Sequence, residues 1–247
     1  MESCEEFARR RLEDRQIKPS TLKEYLGTLK QLGLSDIPHQ DITVSMVNSR
    51  LQTIINPGTR RKHAINVRAV LGIHIRCPKL PQKVYALPPI QDIHAALEGT
   101  THEMWGFIML YGGLRVGEAC ARQPLAGRVL TVDRQRLAGG QIASAKTTGP
   151  VIIPQWLADK YLDHEWDRAT NTIYIGIRRT FKRAGIRLTP HGLRHAFATN
   201  LVKAGASPEI LRRQMRHHDV AISLRYYVHT SDSDIMAVMD SFGSPNG

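Results

Sequence analysis

Apolar residues recur at helical spacing along the first 75 residues of the chain. In residues 21–32 (TLKEYLGTLKQL) they occupy positions 22, 25, 26, 29 and 32, which lie on one face of a helix. Thr21 and Glu24 have the spacing of an N-terminal capping box. Residues 41–55 repeat the pattern at 44, 47, 51, 54 and 55, until Asn56-Pro57-Gly58 ends it. Both segments are predicted to be amphipathic helices.

A third helix is expected from Thr59 onward. Ile65, Ala69 and Ile73 provide its apolar positions. The rest of this segment is strongly basic and includes Arg60, Arg61, Lys62 and Arg68. Such a basic face is either a solvated helix surface or a helix that lies along DNA phosphates, and the second interpretation makes these four residues candidate DNA contacts.

Prolines at 78, 81, 88 and 89 break any helix between residues 75 and 90. The stretch CPKLPQKVYALPP has the composition of an extended linker. We therefore predict an N-terminal helical domain over residues 1–77, a linker over residues 78–89 and a second domain over residues 90–247.

The second domain mixes two periodicities. Residues 102–114 form an apolar helical pattern that ends at Gly112-Gly113. Residues 129–132, 141–145 and 151–153 are short β-rich runs separated by turn residues, which predicts a small antiparallel sheet. The helical period returns at Trp156 and continues, with interruptions, to Met239. The predicted fold class is mainly α with a small antiparallel β-sheet (α+β).

Composition narrows the choice of partner. Lys and Arg outnumber Asp and Glu by 34 to 22, giving a net charge of +12 and a pI near 10.0, which favours a nucleic acid. Cys4, Cys77 and Cys120 are far apart and form no zinc motif, so they are predicted to be reduced thiols. No apolar run reaches the roughly 20 residues of a membrane helix, and the charged N-terminus does not resemble a signal peptide. These features predict a cytoplasmic protein with no membrane partner.

Candidate chemistry lies in the second domain, where basic residues and a tyrosine pair follow one another along the chain. They are, in order, Arg115, Lys146, His191, Arg194, His217 and Tyr226-Tyr227. Thr189 and Pro190 begin a helix, and His191 and Arg194 stand three residues apart on one of its faces. An arginine beside a histidine at a helix N-terminus favours an anion. The set predicts a pocket that holds a phosphodiester with fixed positive donors and attacks it with a phenolic oxygen.

Over nearly its whole length the chain resembles the tyrosine recombinase (phage integrase) family. GLRVGEA resembles the first-arginine motif of that family, HGLRH its HxxRH motif, AKTTG its β-hairpin lysine and RHHDVAISLRYY its His-to-Tyr segment. The N-terminal module resembles the helical, SAM-like core-binding domain, and the second domain resembles the catalytic domain. The resemblance implies the short two-domain form without an arm-binding domain.

The resemblance also implies a role for each motif residue. Arg115 and Arg194 would bind the non-bridging oxygens of the pentavalent transition state, because a guanidinium stays protonated and can bond two oxygens at once. His191 and His217 would complete the phosphate cradle, and His191 would assist removal of the tyrosyl proton.

Lys146, by the same resemblance, would be the general acid for the leaving 5′-oxygen. Tyr226 would be the nucleophile and would form a 3′-phosphotyrosine. Glu118 would hold Arg115 in place, with His195 as a second supporting residue. No metal, ATP or other cofactor is implied.

Two details of the His-to-Tyr segment leave alternatives open. Tyr226 follows His217 by nine residues, the spacing of the family, whereas the same count from His218 selects Tyr227. Arg216 stands where the family usually has a glycine, which changes the local turn or adds a phosphate contact.

The expected function is site-specific recombination that integrates or excises a phage or related mobile element. The expected partners are double-stranded DNA attachment sites and further copies of the chain, as a homotetramer on synapsed DNA, with a recombination directionality factor as a further candidate. Three alternatives stay open: an Xer-type chromosome-dimer resolvase, a type IB topoisomerase that relaxes plasmids without sequence preference, and a non-catalytic DNA-binding protein. Only the last would be unaffected by Tyr226→Phe.

Overall fold

The computed structural model describes residues 1–13, 15, 17–77, 80, 87–217, 219, 221 and 236. The chain divides into two compact units, Met1–Tyr85 and Ala86–Gly247, and this division falls within the predicted linker. No helix in the described part of the chain is both long enough and apolar enough to cross a lipid bilayer.

Unit 1 consists of helices joined by loops in its described residues. Its helices are α1 (Cys4–Glu13), α2 (Pro19–Gln31), α3 (Val44–Gln52) and α4 (Pro57–Leu71), with a short 3-10 helix at His39–Asp41. Each α-helix contributes to one apolar core, which includes Ala8, Leu29, Val47 and Val67. This core accounts for the amphipathic pattern of residues 21–32.

The start of α2 differs from the prediction. The helix begins at Pro19, because the ring of a proline fixes φ at a helical value and its missing N–H costs nothing in the first turn. Thr21 therefore lies inside the helix, and no side chain caps this helix end. The predicted capping box is wrong: Glu24 forms an ion pair with Lys62 of α4 instead, at 3.1 Å.

The start of α3 also differs. Asp41 ends the 3-10 helix, and the α-helix begins after Thr43. Oγ1 of Thr43 accepts a hydrogen bond from the backbone N–H of Met46 at 3.1 Å. Because Thr43 caps the helix in this way, α3 starts later than the predicted segment, which began at residue 41.

The apolar face predicted for α4 is displaced. Ile65 is 45% exposed, and the helix instead buries Ala64, Val67 and Val70. The buried face also contains two polar residues, since Nδ1 of His63 and Nδ2 of Asn66 both lie 2.9 Å from Oγ1 of Thr28 on α2. Because these polar groups satisfy one another inside the core, a pattern of apolar positions alone selects the wrong face.

Unit 2 combines helices with a small sheet. Its helices are α5 (Ile90–Leu97), α6 (Glu103–Gly112), α7 (Val116–Ala119), α8 (Gln155–Leu162), α9 (Thr170–Arg183), α10 (Pro190–Lys203) and α11 (Pro208–Met215). The sheet lies between α7 and α8 in sequence, and its strands are β1 (Leu125–Ala126), β2 (Val129–Arg136) and β3 (Ile142–Ile152), antiparallel and in that order. The predicted fold class is confirmed.

The hairpin of β2 and β3 is more continuous than predicted. Residues 142–152 form one strand, so Lys146 lies within β3 and not between two strands. Val132 pairs with Gly149 and Arg134 with Ser144, so residues 145–148 lie opposite Asp133 alone. Such an irregularity re-aims side chains, and the sequence shows it only as an apparent break in the strand.

Two apolar clusters support the helices of unit 2. The main core contains the almost completely buried α6 together with residues from α5, the sheet, α8, α9 and α10. A separate small cluster joins α10 to α11 and contains Phe197, Ala198, Leu211 and Met215. The helical period predicted after Trp156 is present through α11; its continuation beyond residue 221 lies, except at Met236, outside the described residues.

Candidate active site

A buried carboxylate, Glu118, holds two guanidinium groups. Its side chain is 1% exposed on the short helix α7. Oε1 accepts a hydrogen bond from Nη1 of Arg115 at 2.7 Å, and Oε2 accepts from the backbone N–H of Arg115 at 2.9 Å and from Nη2 of Arg216 at 2.5 Å. Arg216 comes from the chain just after α11, 98 residues later. Glu118 thus joins two distant segments of unit 2.

Arg115 precedes the first turn of α7 and remains 31% exposed. Its Nη1 also donates to Oγ1 of Thr147 at 2.7 Å, which links it to the irregular part of β3. Among the described residues, its Nε and Nη2 have no hydrogen-bond acceptor. Arg115 is therefore held by one nitrogen and has further donors available for an anion.

Arg194 lies on α10 and is almost completely buried. Its Nη1 donates to the carbonyl oxygen of Gly113, and its Nη2 donates to the carbonyl oxygen of Met215. Gly113 ends α6 with a φ of +65°, a conformation that favours glycine. Arg194 thereby connects the turn before Arg115 to the end of α11.

Three histidines surround these arginines. Desolvation, followed by the charges on Arg194 and Arg115, lowers the pKa of His191. The ring of His195 stands edge-on to that of His191, with ring centres 4.9 Å apart, and desolvation also lowers the pKa of His195. Desolvation lowers the pKa of His217 to about 4, together with the charges of nearby arginines, among which Arg194 has the largest effect. These imidazoles are neutral at neutral pH. Each therefore has one nitrogen that can donate a hydrogen bond and one that can accept a hydrogen bond or a proton.

The charge of this cluster is positive. Arg115 and Arg216 share the single carboxylate of Glu118, so this trio carries one positive charge in excess. Arg194 is a third guanidinium in this region, and two of its nitrogens donate to backbone carbonyl oxygens. A fixed, partly desolvated excess of positive charge stabilises an anion, and it does so most strongly where negative charge increases during a reaction.

Lys146 is exposed on β3 and shares a cavity with part of this cluster. The cavity has a volume of about 790 Å³ and is lined by Lys146, Thr147, Arg216 and His217, among others. The structure thus brings five of the six predicted catalytic residues into one region of unit 2. Tyr226, the sixth, lies outside the described residues, as do the alternatives Tyr227 and His218.

The four candidate DNA contacts of unit 1 have protein partners. Nε and Nη2 of Arg60 donate to the carbonyl oxygen of Ile54 at 3.0 and 2.6 Å. Lys62 pairs with Glu24, and Nη1 of Arg68 lies 3.6 Å from Sγ of Cys77. Arg61 is half-buried and also has a partner. Their contact with DNA stays a prediction.

A second basic surface, in unit 2, was not predicted from the sequence. We call it the α9 basic surface; it consists of the exposed residues Arg178, Arg179, Lys182, Arg183 and Arg187. None of the five forms an ion pair with an acidic residue in the described part of the chain. They line two cavities of about 660 and 370 Å³ that share Arg179. The run RRTFKRAGIR contained the signal, since its basic residues recur at helical spacing.

Comparison with known proteins relates this chain to DNA recombinases. The profile of the phage integrase family matches residues 157–234. The chain is 44% identical over 52 residues to the transposase of transposon Tn916 from Enterococcus faecalis, covering 21% of this chain and 13% of that protein. It is 31% identical over 180 residues to tyrosine recombinase XerA of Thermococcus onnurineus, covering 62% and 61%. The matches thus span less than two thirds of these relatives.

Solved structures share the fold. The integrase of transposon Tn1549, in complex with a circular intermediate DNA, superposes with a TM-score of 0.77 at 18% identity, over 98% of this chain and 100% of that one. A λ integrase dimer bound to a core site gives a TM-score of 0.64 at 21% identity, over 88% and 91%.

Proposed function

Because the chain belongs to the tyrosine recombinase (phage integrase) family, we propose that it is a site-specific recombinase that cleaves and rejoins DNA strands through a 3′-phosphotyrosine intermediate. The observation that carries this proposal is the arrangement of Arg115, Arg194 and Glu118. Two guanidinium groups from separate helical segments are fixed beside neutral histidines, in a region whose charge is positive.

The chemistry proposed for the site follows from its donors. Tyr226 attacks the phosphorus atom, the bond from phosphorus to the 5′-oxygen breaks, and negative charge increases on the two non-bridging oxygens. Nε and Nη2 of Arg115 are available to these oxygens, and the burial of Arg194 strengthens its electrostatic effect. The donors are already held by the protein, so little reorganisation accompanies the reaction.

Proton transfer completes the proposed step. His191 is neutral, so it can accept the phenolic proton of Tyr226. Lys146 lines the same cavity as His217 and donates a proton to the leaving 5′-oxygen. The phosphotyrosine conserves the energy of the phosphodiester, so a 5′-hydroxyl from a second strand can attack the phosphorus atom. The new phosphodiester forms as the bond to the oxygen of Tyr226 breaks, without an external energy source.

The biological role that we propose is integration or excision of a phage or related mobile element. The identity of 44% over 52 residues to the transposase of Tn916 supports this role. An Xer-type role in resolving chromosome dimers is the second candidate, and the longer match to XerA supports it. An attachment-site pair that flanks the gene would favour the first role; a chromosomal target site that is not linked to the gene would favour the second.

DNA attachment sites are the proposed partners, and the α9 basic surface is the proposed contact of unit 2 with the DNA backbone. We further propose that the protein acts in the bacterial cytoplasm as a homotetramer on two synapsed duplexes, with a directionality factor to favour excision.

A covalent-trapping experiment tests the activity. The protein is incubated in EDTA with a labelled DNA duplex from the region around its gene, nicked so that the cleaved strand loses a short fragment and cannot be rejoined. A denaturant-stable, protease-sensitive adduct that is absent only from Tyr226→Phe is the expected result. Loss only in Tyr227→Phe would move the nucleophile by one residue, and specific binding without any adduct would contradict the enzymatic proposal.

A further inference from the structure

We propose that Arg216 is a positioning residue of this active site, which compensates the charge of Glu118 so that the charge of Arg115 remains available to the scissile phosphate. The inference rests on the proposed function and concerns the same site. It assigns a role to a residue that departs from the family motif in this chain.

The backbone of Arg216 is the first indication. Its φ is +52°, and it is the single non-glycine residue with a positive φ in the described part of the chain. Arg216 follows α11 as its C-cap, a position at which glycine adopts this conformation without steric cost. A non-glycine residue held in this region is strained, and such strain persists where the side chain has a function.

The side chain of Arg216 is the second indication. It is 3% exposed, and burial lowers the pKa of its guanidinium. Nη2 donates to Glu118, but Nε and Nη1 are buried and have no acceptor among the described residues. Burying a guanidinium with incomplete hydrogen bonding is unfavourable. A glycine would avoid both costs, so the reason for an arginine here lies in its interaction with Glu118.

The pairing of Glu118 with two arginines explains why an arginine stands at position 216. Each carboxylate oxygen binds one guanidinium: Oε1 binds Arg115 and Oε2 binds Arg216. In the absence of Arg216, the charges of Glu118 and Arg115 would cancel. With Arg216 present, Glu118 still orients Arg115, while the trio retains one positive charge next to the phosphate site.

Arg216 also lies where it can act on the phosphate site over a short distance. It lines the cavity that contains Lys146 and His217, and its aliphatic Cδ lies 3.6 Å from the position that a Cβ on Gly149 would occupy. This close approach to β3 holds the side chain of Arg216 beside the cavity, where its charge acts on the phosphate through Arg115.

The test compares two substrates. Single-turnover cleavage is measured at saturating DNA with the nicked duplex, carrying either the normal phosphodiester or an uncharged methylphosphonate at the scissile position. For Arg216→Met and Arg216→Gly we expect phosphodiester cleavage to fall on the order of 10- to 100-fold. The methylphosphonate rate should fall much less, since its transition state carries one negative charge fewer. Arg213→Met, which removes an exposed arginine from the rim of the same cavity, is the matched control and should leave the ratio of the two rates unchanged.

A double variant separates charge from structure. Glu118→Gln combined with Arg216→Met restores the positive excess, so the ratio of phosphodiester to methylphosphonate rates should return toward that of the unmodified protein. Arg216→Lys keeps the charge and should keep the ratio even if its absolute rate falls. It also carries the test if thermal unfolding shows that Arg216→Met does not fold.

The inference is overturned if all folded Arg216 variants lose both rates equally, because that result describes a structural role, or if they lose neither. Absence of an adduct from the unmodified protein would instead contradict the proposed function, so the two failures are distinguishable.

Discussion

The guanidinium of Arg194 donates a hydrogen bond to the carbonyl oxygen of Gly113, 81 residues earlier in the chain. This contact places a phosphate-binding candidate against the turn that precedes Arg115. The position of the carbonyl depends on the left-handed backbone of Gly113, which ends α6. The geometry of the anion site is therefore set in part by a residue that has no side chain.

Substitution of Gly113 by alanine should damage both fold and site. The new Cβ would lie 2.5 Å from the ring of Phe197, at a φ of +65°. Gly127 is the matched control, because its φ is +56° and no atom lies within 4 Å of the position of a new Cβ. We expect Gly127→Ala to cost about 1 to 2 kcal/mol of unfolding free energy, and Gly113→Ala to cost about 1 to 3 kcal/mol more.

Urea unfolding of the two glycine variants measures this difference. Cleavage of the nicked duplex by Gly113→Ala should also be slower at saturating DNA, since movement of its carbonyl shifts Arg194. Equal destabilisation by the two substitutions would show that the contact with Phe197 is not a constraint.

Substitution of Glu118 by glutamine should destabilise unit 2 strongly. Its carboxylate is buried between two guanidinium groups, and removal of one partner from a buried ion pair costs about 3 to 5 kcal/mol. Glu209 is a matched control, because it also pairs with an arginine three residues away but is exposed. We expect Glu209→Gln to change the urea midpoint far less; a similar change in both variants would contradict the assigned importance of burial.

Stability should fall as pH decreases from about 6.5 to about 4. The folded-state pKa of His217 is about 4, below its ordinary value of 6.5. Between these values the unfolded chain binds a proton that the folded chain does not, so acid favours unfolding in that window, and this contribution levels off below it. His191 and His195 act in the same direction. Urea unfolding of His217→Gln across pH 4 to 7.5 should show a shallower dependence, whereas a curve parallel to that of the unmodified protein would refute the shift.

The α9 basic surface should affect DNA affinity without affecting the chemical step. Arg179→Gln and Lys182→Gln should each reduce the slope of log K against log salt concentration by about 1, for specific and non-specific DNA alike. Their cleavage rates at saturating DNA should not change. Arg134→Gln is the control, because Arg134 already pairs with Asp133 at 2.6 Å. An unchanged slope in both α9 variants would exclude this surface from the DNA contact.

Local sequence signals predicted the elements that carry the motifs. The end of α6 at Gly112-Gly113 and the start of α10 at Thr189-Pro190 both depend on neighbouring residues, and both agree with the structure. Thr189 accepts the N–H of Gly192 at 3.2 Å, a cap that the sequence makes apparent. Such features are predictable because propensity and capping act within a few residues.

The features that the sequence did not predict depend on distant partners. The pairing of Glu118 with Arg216 joins residues 98 positions apart, and no periodicity signals it. The buried face of α4 depends on a hydrogen bond between His63 and Thr28 of another helix. The apparent break in β3 reflects an irregular pairing with β2. Each of these is decided by tertiary contact rather than by local pattern.

The small cluster that attaches α11 has a consequence for how the site comes apart. Four buried residues join this eight-residue helix to α10, and they are separate from the main core. Yet the end of α11 supplies the carbonyl of Met215 to Arg194, and the guanidinium of Arg216 follows it. If α11 detached while the rest of the unit stayed folded, Arg194 would lose its contact with Met215 and Arg216 its contact with Glu118. Amide hydrogens of α11 should therefore exchange with solvent ahead of those of α6. The fraction of molecules able to catalyse would then depend on the equilibrium between attached and detached α11, whose free energy is smaller than that of global unfolding.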